Sequence, residues 1–208
     1  MQYLTHKKEF MKMDFYVDEN VLIPRNDTEV LVEEVIRICK EEGNKNILEL
    51  CVGSGAIAIS LAKYLKDVNI LGVDISEGAI EIAKRNAKNL LEYENIKFIQ
   101  SDMFENVDGK FDVIVSNPPY IKSKVIENYS LAFEPHLALD GGEDGLEFYS
   151  IIINEAYKYL EKDGIVAIEI GFDQKEEVES LIRNSGKYKS WYSRKDLGGN
   201  DRVIVARI

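Results

Sequence analysis

Asn46-Ile47-Leu48-Glu49-Leu50-Cys51-Val52-Gly53-Ser54-Gly55-Ala56 is the stretch on which the fold turns. An apolar run of strand length, 46–51, ends at a turn holding Gly53 and Gly55, and helical spacing begins with Ala56-Ile57-Ala58-Ile59. Glycine lacks the Cβ that would keep a ligand away from the backbone. In open α/β sheets ligands bind beyond the carboxyl ends of the strands, where the strand order reverses. The spacing Gly53-x-Gly55-x-x-Ala58 also fits a dinucleotide fingerprint, a weak signal alone, and an ordinary strand-to-helix turn would look the same.

On either side of this stretch, apolar strands alternate with amphipathic helices. A helix over 56–66 carries Ile57, Leu61 and Leu65 on one face, and 69–74 reads as the second strand. Ser76 can cap a helix whose inner stripe is Ile80, Ala83, Ala87 and Leu90. Strands follow at 96–101 and 111–116. An irregular stretch over 121–145 is expected to face the substrate, since long loops in such domains usually do. Next come a helix over 146–160, a strand over 164–171 and a helix to 184 with a capping box at Asp173 and Glu176. Runs at 188–194 and 202–208, joined by Gly198-Gly199-Asn200, predict an antiparallel terminal hairpin. Upstream, Met11, Met13, Phe15 and Val17 alternate with polar residues, so 9–17 is expected to be one hairpin strand. Asp18-Glu19-Asn20 would be its turn and Val21-Leu22-Ile23 its return, with Asn26 and Glu29 capping a helix over 28–42. The expected fold is α/β: a doubly wound, mainly parallel seven-stranded sheet with an antiparallel C-terminal hairpin strand and a small N-terminal β-hairpin. Residues 1–25 would form the hairpin and linker, 26–208 the main domain.

The chain has 208 residues, enough for one domain with a substantial core. Its 45% hydrophobic and 30% charged residues argue against disorder. No apolar run approaches the ~20 residues that cross a bilayer, and His6, Lys7, Lys8 and Glu9 interrupt any signal peptide. Cys39, Cys51, His6 and His136 lack metal-ligand spacing. Reduced thiols, a cytoplasmic location and no metal site are therefore expected. A formal charge of -11 disfavours phosphate binding, so direct nucleic-acid binding is not expected.

Asp74 ends the second strand, where a carboxylate can accept both hydroxyls of a ribose. Such bonds contribute roughly 1.5–3 kcal/mol each. Nicotinamide dinucleotides and S-adenosylmethionine both use this acid, so it marks a nucleoside without choosing between them. Asp102, just past the third strand, favours the second: it can accept an adenine amino group while Met103 packs on the ring. A plain loop carboxylate would look the same. Asn117-Pro118-Pro119-Tyr120 then follows the strand Phe111-Asp112-Val113-Ile114-Val115-Ser116. Two prolines fix φ twice and remove two donors, leaving carbonyl oxygens rigidly aimed. The Asn117 and Pro118 oxygens offer two acceptors to one NH₂ group, and Tyr120 offers a flat face for a planar amide or base. An amide nitrogen is a poor nucleophile, and acceptors that localise its hydrogens help free its lone pair for a methyl group.

With these residues the sequence resembles the release-factor glutamine methyltransferases, the HemK/PrmC family. The resemblance runs through Val21-Leu22-Ile23-Pro24-Arg25 with Thr28-Glu29, the glycine loop, Asp74, Asn117 to Tyr120, Glu134-Pro135, Gly142 to Leu146, Glu169-Ile170-Gly171 and Asp201-Arg202-Val203. It implies that 26–208 is a methyltransferase catalytic domain that transfers a methyl group from S-adenosylmethionine to the glutamine amide in the Gly-Gly-Gln loop of peptide chain release factors. The cofactor contacts would be Glu49, Cys51, Val52, Gly53, Ser54, Gly55, Asp74, Asp102, Met103 and Asn117. Asn117, Pro118, Pro119 and Tyr120 would hold the glutamine. The sequence departs from the family at Glu49 and Cys51, where Asp and Gly are usual, and at Asn26-Asp27, where Pro-Glu or Pro-Asp is usual. Nothing matches the family's N-terminal helical domain, so a shortened or split form is expected. The Asn-Pro-Pro-Tyr element is shared with enzymes that methylate exocyclic amines of nucleic-acid bases, which is the alternative reading; a nicotinamide-dependent oxidoreductase is a more distant one. Arg25 and Glu29 are expected either to border the cleft or to pair at the helix entry. Glu169 is expected to face the cofactor's amino-acid end, and Arg202 to pair with a carboxylate for structural reasons.

Overall fold

The structure, a computed structural model, describes residues 2–43, 45–92, 95–128 and 134–208. Its elements run α1 (Gln2–Thr5), β1 (Lys7–Phe10), β2 (Met13–Tyr16), α2 (Glu29–Glu42), β3 (Asn46–Leu50), α3 (Ala56–Tyr64), β4 (Asn69–Asp74), α4 (Glu77–Leu90), β5 (Ile96–Gln100), β6 (Phe111–Ser116), α5 (Ser123–Asn128), α6 (Glu147–Glu155), β7 (Leu160–Glu169), α7 (Lys175–Ser185), β8 (Ser190–Lys195) and β9 (Asp201–Arg207). Seven strands form one sheet in the order β5-β4-β3-β6-β7-β9-β8; β9 pairs antiparallel with both its neighbours and the other pairings are parallel. The expected doubly wound α/β sheet with its antiparallel C-terminal hairpin is present. Among the described residues no helix is long and apolar enough to cross a membrane.

Side chains alternate across the sheet as a period of two requires. One face buries Ile47, Val113, Ile165 and Val205 with Leu31 and Val35 of α2, Ile57 and Leu61 of α3 and Ile80 of α4. The other buries Leu48, Ile114, Val166 and Ile204 with Tyr149 and Ile152 of α6 and Val178 and Ile182 of α7. Each such side chain contributes roughly 1.5–3 kcal/mol on full burial, so both helical layers are held by the same strands. Ser76 caps α4 as expected, its Oγ accepting from Ala79 N at 3.2 Å.

Several local expectations are corrected. The N-terminal hairpin turns at Met11 and Lys12, both left-handed (φ 47° and 59°), and not at Asp18-Glu19-Asn20. Two left-handed residues in a two-residue loop match the twist of the flanking strands, which places Met11 in the turn instead of a strand. Val21 and Ile23 form no strand; they pack with Val17 against Ala79 and Ile82 of α4. Asn26 does not cap α2. It accepts from Lys8 Nζ at 2.7 Å, Glu29 Oε1 accepts from Met11 N at 2.7 Å, and a 3-10 turn over Asn26–Thr28 leads into the helix. The Asp173–Glu176 capping box does not form, and Gln174 stands at the N-terminus of α7. Helix α6 ends at Glu155 because a 3-10 turn and the early start of β7 take over, with a register shift opposite Phe111 and Val113. The stretch 121–145 holds α5 and a 3-10 turn over His136–Ala138, closed at its base by Ile121 N to Leu139 O and Gly141 N to Ile121 O. Its residues 129–133 lie outside the described residues.

The hairpin is tied to the sheet by Asn86 of α4, which is 1% exposed. Its Oδ1 accepts from Tyr16 N at 2.8 Å, and its Nδ2 donates to Tyr16 O at 3.0 Å and to Ser54 O at 2.9 Å. One side chain thus holds both the hairpin and the glycine turn. Asn86→Ala strands buried polar groups on both and is expected to lose roughly 2–4 kcal/mol in urea unfolding, with new proteolytic cleavage within 6–25 as its second readout.

Candidate active site

The strand order reverses between β3 and β6, and a cavity of about 310 Å³ opens at the carboxyl ends of β3, β4 and β6. Such switch points are where open α/β sheets hold ligands. Of the residues expected at the site, Glu49, Cys51, Val52, Gly53, Ser54, Asp74, Asp102, Met103, Asn117 and Pro119 line this cavity; Gly55, Pro118 and Tyr120 do not.

The glycine turn shows why each position is what it is. Gly53 is left-handed (φ +54°), and a Cβ there would meet nothing within 4 Å. Gly55 has a packing role instead: a Cβ would lie 3.0 Å from Ile59 Cδ1 and 3.2 Å from Ala83 Cβ, where α3 meets α4. Cys51 is left-handed with a side chain (φ 58°), a conformation that costs roughly 1–2 kcal/mol. Its Sγ lies 3.9 Å from Sδ of Met103, itself left-handed at φ 43°. Burial, then the nearby Asp74, pushes the Cys51 thiol far up.

Two carboxyls frame the turn. Asp74 Oδ2 accepts from Gly53 N at 2.8 Å and Oδ1 from Ser76 N at 2.9 Å. Burial still raises its pKa against those backbone donors. Glu49 is almost wholly buried: Oε2 accepts from Ala58 N at 2.9 Å, while Oε1 has no partner. Burial pushes its carboxyl well above the usual range. Asp102 stands exposed at the rim.

Asn117 leaves β6 with its Nδ2 donating to Thr28 Oγ1 at 3.2 Å, so its Oδ1 is the end left for a ligand. Tyr120 packs into the second core layer and its hydroxyl donates to Glu169 Oε1 at 3.5 Å; the ring is not part of the cavity wall. Glu169 therefore meets Tyr120 and not the cavity, contrary to expectation. Arg202 pairs with Asp196 at 3.0 Å and donates to Ile170 O, the structural role expected of it. Arg25 lines the cavity and forms an ion pair with Glu134, which ties the Leu-Ile-Pro-Arg segment to the Glu-Pro segment beside Pro135 and Leu137 of the same wall; Glu29 does not line it.

Sequence reading missed Gln174, which holds the Asn-Pro-Pro-Tyr turn from behind. Its Nε2 donates to Tyr120 O and Gly145 O, both at 3.1 Å; its Oε1 accepts from Gly171 N at 3.0 Å and from the Tyr149 hydroxyl at 3.1 Å. Gly141 lies against the same turn, where a Cβ would come 2.6 Å from Tyr120 Cα. No local pattern marks Gln174, because its partners lie 25 to 54 residues away in sequence apart from Gly171.

The sheet order and the cavity at its switch point define a class I methyltransferase fold, and the family model described as "Methyltransferase domain" matches residues 41–203. A T. thermophilus 16S rRNA N2 G1207 methyltransferase, solved with AdoMet and guanosine, shares the fold at a TM-score of 0.68 and 18% identity, over 97% of this chain and 49% of that one. A "Release factor glutamine methyltransferase" of Clostridium acetobutylicum is 43% identical over 99% of this chain and 74% of its own length. One of Fusobacterium nucleatum is 42% identical over 100% of this chain and 59% of its own. The chain belongs to the release factor glutamine methyltransferase family.

Asp74 cannot be removed without touching the fold, because both its oxygens hold backbone. Asp74→Ala is expected to lose roughly 1–3 kcal/mol of stability as well as cofactor affinity, read by urea unfolding and calorimetry. Gln174→Leu is expected to lower the melting temperature and kcat while leaving the dissociation constant for S-adenosylmethionine within about threefold, since its partners lie behind the turn and not in the cavity.

Proposed function

We propose that the chain transfers the methyl group of S-adenosylmethionine to the side-chain amide nitrogen of the glutamine in the Gly-Gly-Gln loop of peptide chain release factors. The observation that carries this reading is Asn117: its nitrogen is committed to Thr28, and its oxygen stays free in a cavity whose other wall is the glycine turn. The two relatives bearing the release factor name support the substrate.

The cavity's chemistry fits the cofactor. Asp74, at the end of β4, can accept the ribose hydroxyls. The unpartnered Glu49 Oε1 is a buried acceptor suited to an ammonium group, and Met103 offers an apolar, polarizable surface for the adenine with Asp102 at the rim. The bound cofactor supplies a methyl group activated by a sulfonium centre.

The chain's own residues then have to orient a weak nucleophile. Asn117 Oδ1 accepts one amide hydrogen of the glutamine, and the Pro118 carbonyl is the acceptor proposed for the other. The amide plane is fixed, and its lone pair is directed toward the methyl carbon. As the new N–C bond forms, the S–C bond breaks and its electron pair stays on sulfur. The nitrogen then loses one proton to water, which needs no strong base. Alignment of this kind can account for roughly 7–11 kcal/mol of the barrier.

Incubation with S-adenosylmethionine and a release factor, followed by peptide mass spectrometry, is expected to find one methyl group on the loop glutamine; methyl found only on other residues would overturn the reading. Asn117→Ala is expected to lower kcat by about 10²–10³-fold, with cofactor affinity changed by no more than about threefold in calorimetry.

A further inference from the structure

Thr28 belongs to neither the glycine turn nor the proline motif, yet it is buried at the site and its Oγ1 accepts from Asn117 Nδ2 at 3.2 Å. Its own hydroxyl faces Glu169 and is the strongest of the groups that favour the charged form of that carboxyl. Glu169 is 1% exposed; its Oε1 accepts from the Tyr120 hydroxyl, and its Oε2 has no partner in hydrogen-bonding geometry. The three residues meet because β6 and β7 run parallel with Ser116 opposite Ile168, so 117 and 169 leave the sheet side by side. The turn into α2 reaches both through Thr28.

A hydroxyl has one proton to give, and an amide side chain has two unlike ends. When the Thr28 proton goes to a carboxylate, Oγ1 can only accept, and Asn117 must turn its nitrogen toward it. The Asn117 oxygen is then left for the substrate N–H. When the carboxyl is neutral it can donate to Thr28, the hydroxyl can donate to Asn117 Oδ1, and the amide settles the other way round. Donor would then face donor at the substrate nitrogen.

We propose that Thr28 and Glu169 are positioning residues that set the orientation of the Asn117 amide, and that ionised Glu169 holds the reactive one. The proposal rests on the reading of Asn117 as acceptor for the substrate amide.

Burial pushes the Glu169 carboxyl up to about 7; Asp27 adds to the rise, while Thr28, Arg202 and Tyr120 oppose it. Tyr149 also faces this charge, and burial keeps its phenol neutral. Arg202 stays charged beside Asp196. The carboxylate is therefore gained as pH rises through about 7 and lost below it, so turnover has an acid limb with that midpoint.

The test measures kcat for methylation of a release factor from about pH 5.5 to about pH 9 for wild type, E169Q, T28V and T28S. In parallel, the Asn117 side-chain amide is followed by ¹⁵N NMR, identified by its loss in N117D. Wild-type kcat is expected to fall about tenfold per pH unit on the acid side, and E169Q to lose that limb. T28V should turn over about 10–100-fold more slowly with the cofactor KM within about twofold, and T28S should recover both rate and limb. The Asn117 amide signals should shift with a midpoint at about 7 in wild type and stay still in E169Q. A purely structural role would lower stability without moving either titration. An acid limb persisting in E169Q, wild-type turnover in T28V, or amide signals indifferent to pH would overturn the proposal. If wild type methylates no release factor at any pH, the assigned reaction falls, and the amide titration still decides the positioning role. Should E169Q fail to fold, T28V and the wild-type titration decide it.

Discussion

The site depends on the parallel pairing of β3 with β6, in which Leu50 stands opposite Ser116. That register is locked at its end by the Ser116 hydroxyl, which donates to Leu50 O at 2.9 Å in the buried interior. The residues that follow are Cys51 on one strand and Asn117 on the other, so the glycine turn and the Asn-Pro-Pro-Tyr turn emerge as neighbours. A slip of one residue would exchange the faces of every side chain on a strand. The two apolar layers forbid that slip, since Ile47 and Val113 belong to one and Leu48 and Ile114 to the other. The cores on both faces thereby fix where a methyl donor and an amide can meet.

Features that cost stability gather at this point. Cys51 and Met103 are left-handed with side chains, and Glu49 and Glu169 are buried carboxyls that each keep an oxygen without a partner. Glu169 titrates at about 7 when folded against an ordinary 4.5, so the folded state holds its proton more tightly. Stability tied to this group is therefore greatest below 4.5 and declines as pH rises to about 7. Such a group persists only where the surrounding structure over-determines it, which the parallel strands and the Gln174 clamp do.

Sequence alone showed the parts of the site that are local. Strands β4 and β6 were legible to the residue, because their apolar runs are bounded by Asp74 and by the prolines after Asn117. The hairpin turn was not, since Met11-Lys12 carries none of the Asn or Gly signals of a left-handed loop. The partners that orient the chemistry were also hidden. Thr28 meets Asn117 across 89 residues, Gln174 meets Tyr120 across 54, and Arg25 meets Glu134 across 109. No periodicity encodes a pair at such distances; only the strand order brings them together. Gly141 and Gly145 gain their meaning in the same way, from the backbone of Tyr120 that leaves no room for a Cβ.

A cavity built to hold an activated methyl group must also avoid consuming it. A thiolate is a far better nucleophile than an amide nitrogen, and Cys51 lines the same wall as Asn117. Burial and the negative charges of Asp74, Glu49 and Asp102 keep its sulfur protonated, and the Tyr120 phenol is likewise held neutral to about 12. The acidic surroundings of the glycine turn thus act twice: they favour a cationic ligand, and they silence the one strong nucleophile beside it. What remains reactive is the weaker nitrogen, which needs an oriented acceptor more than it needs a base.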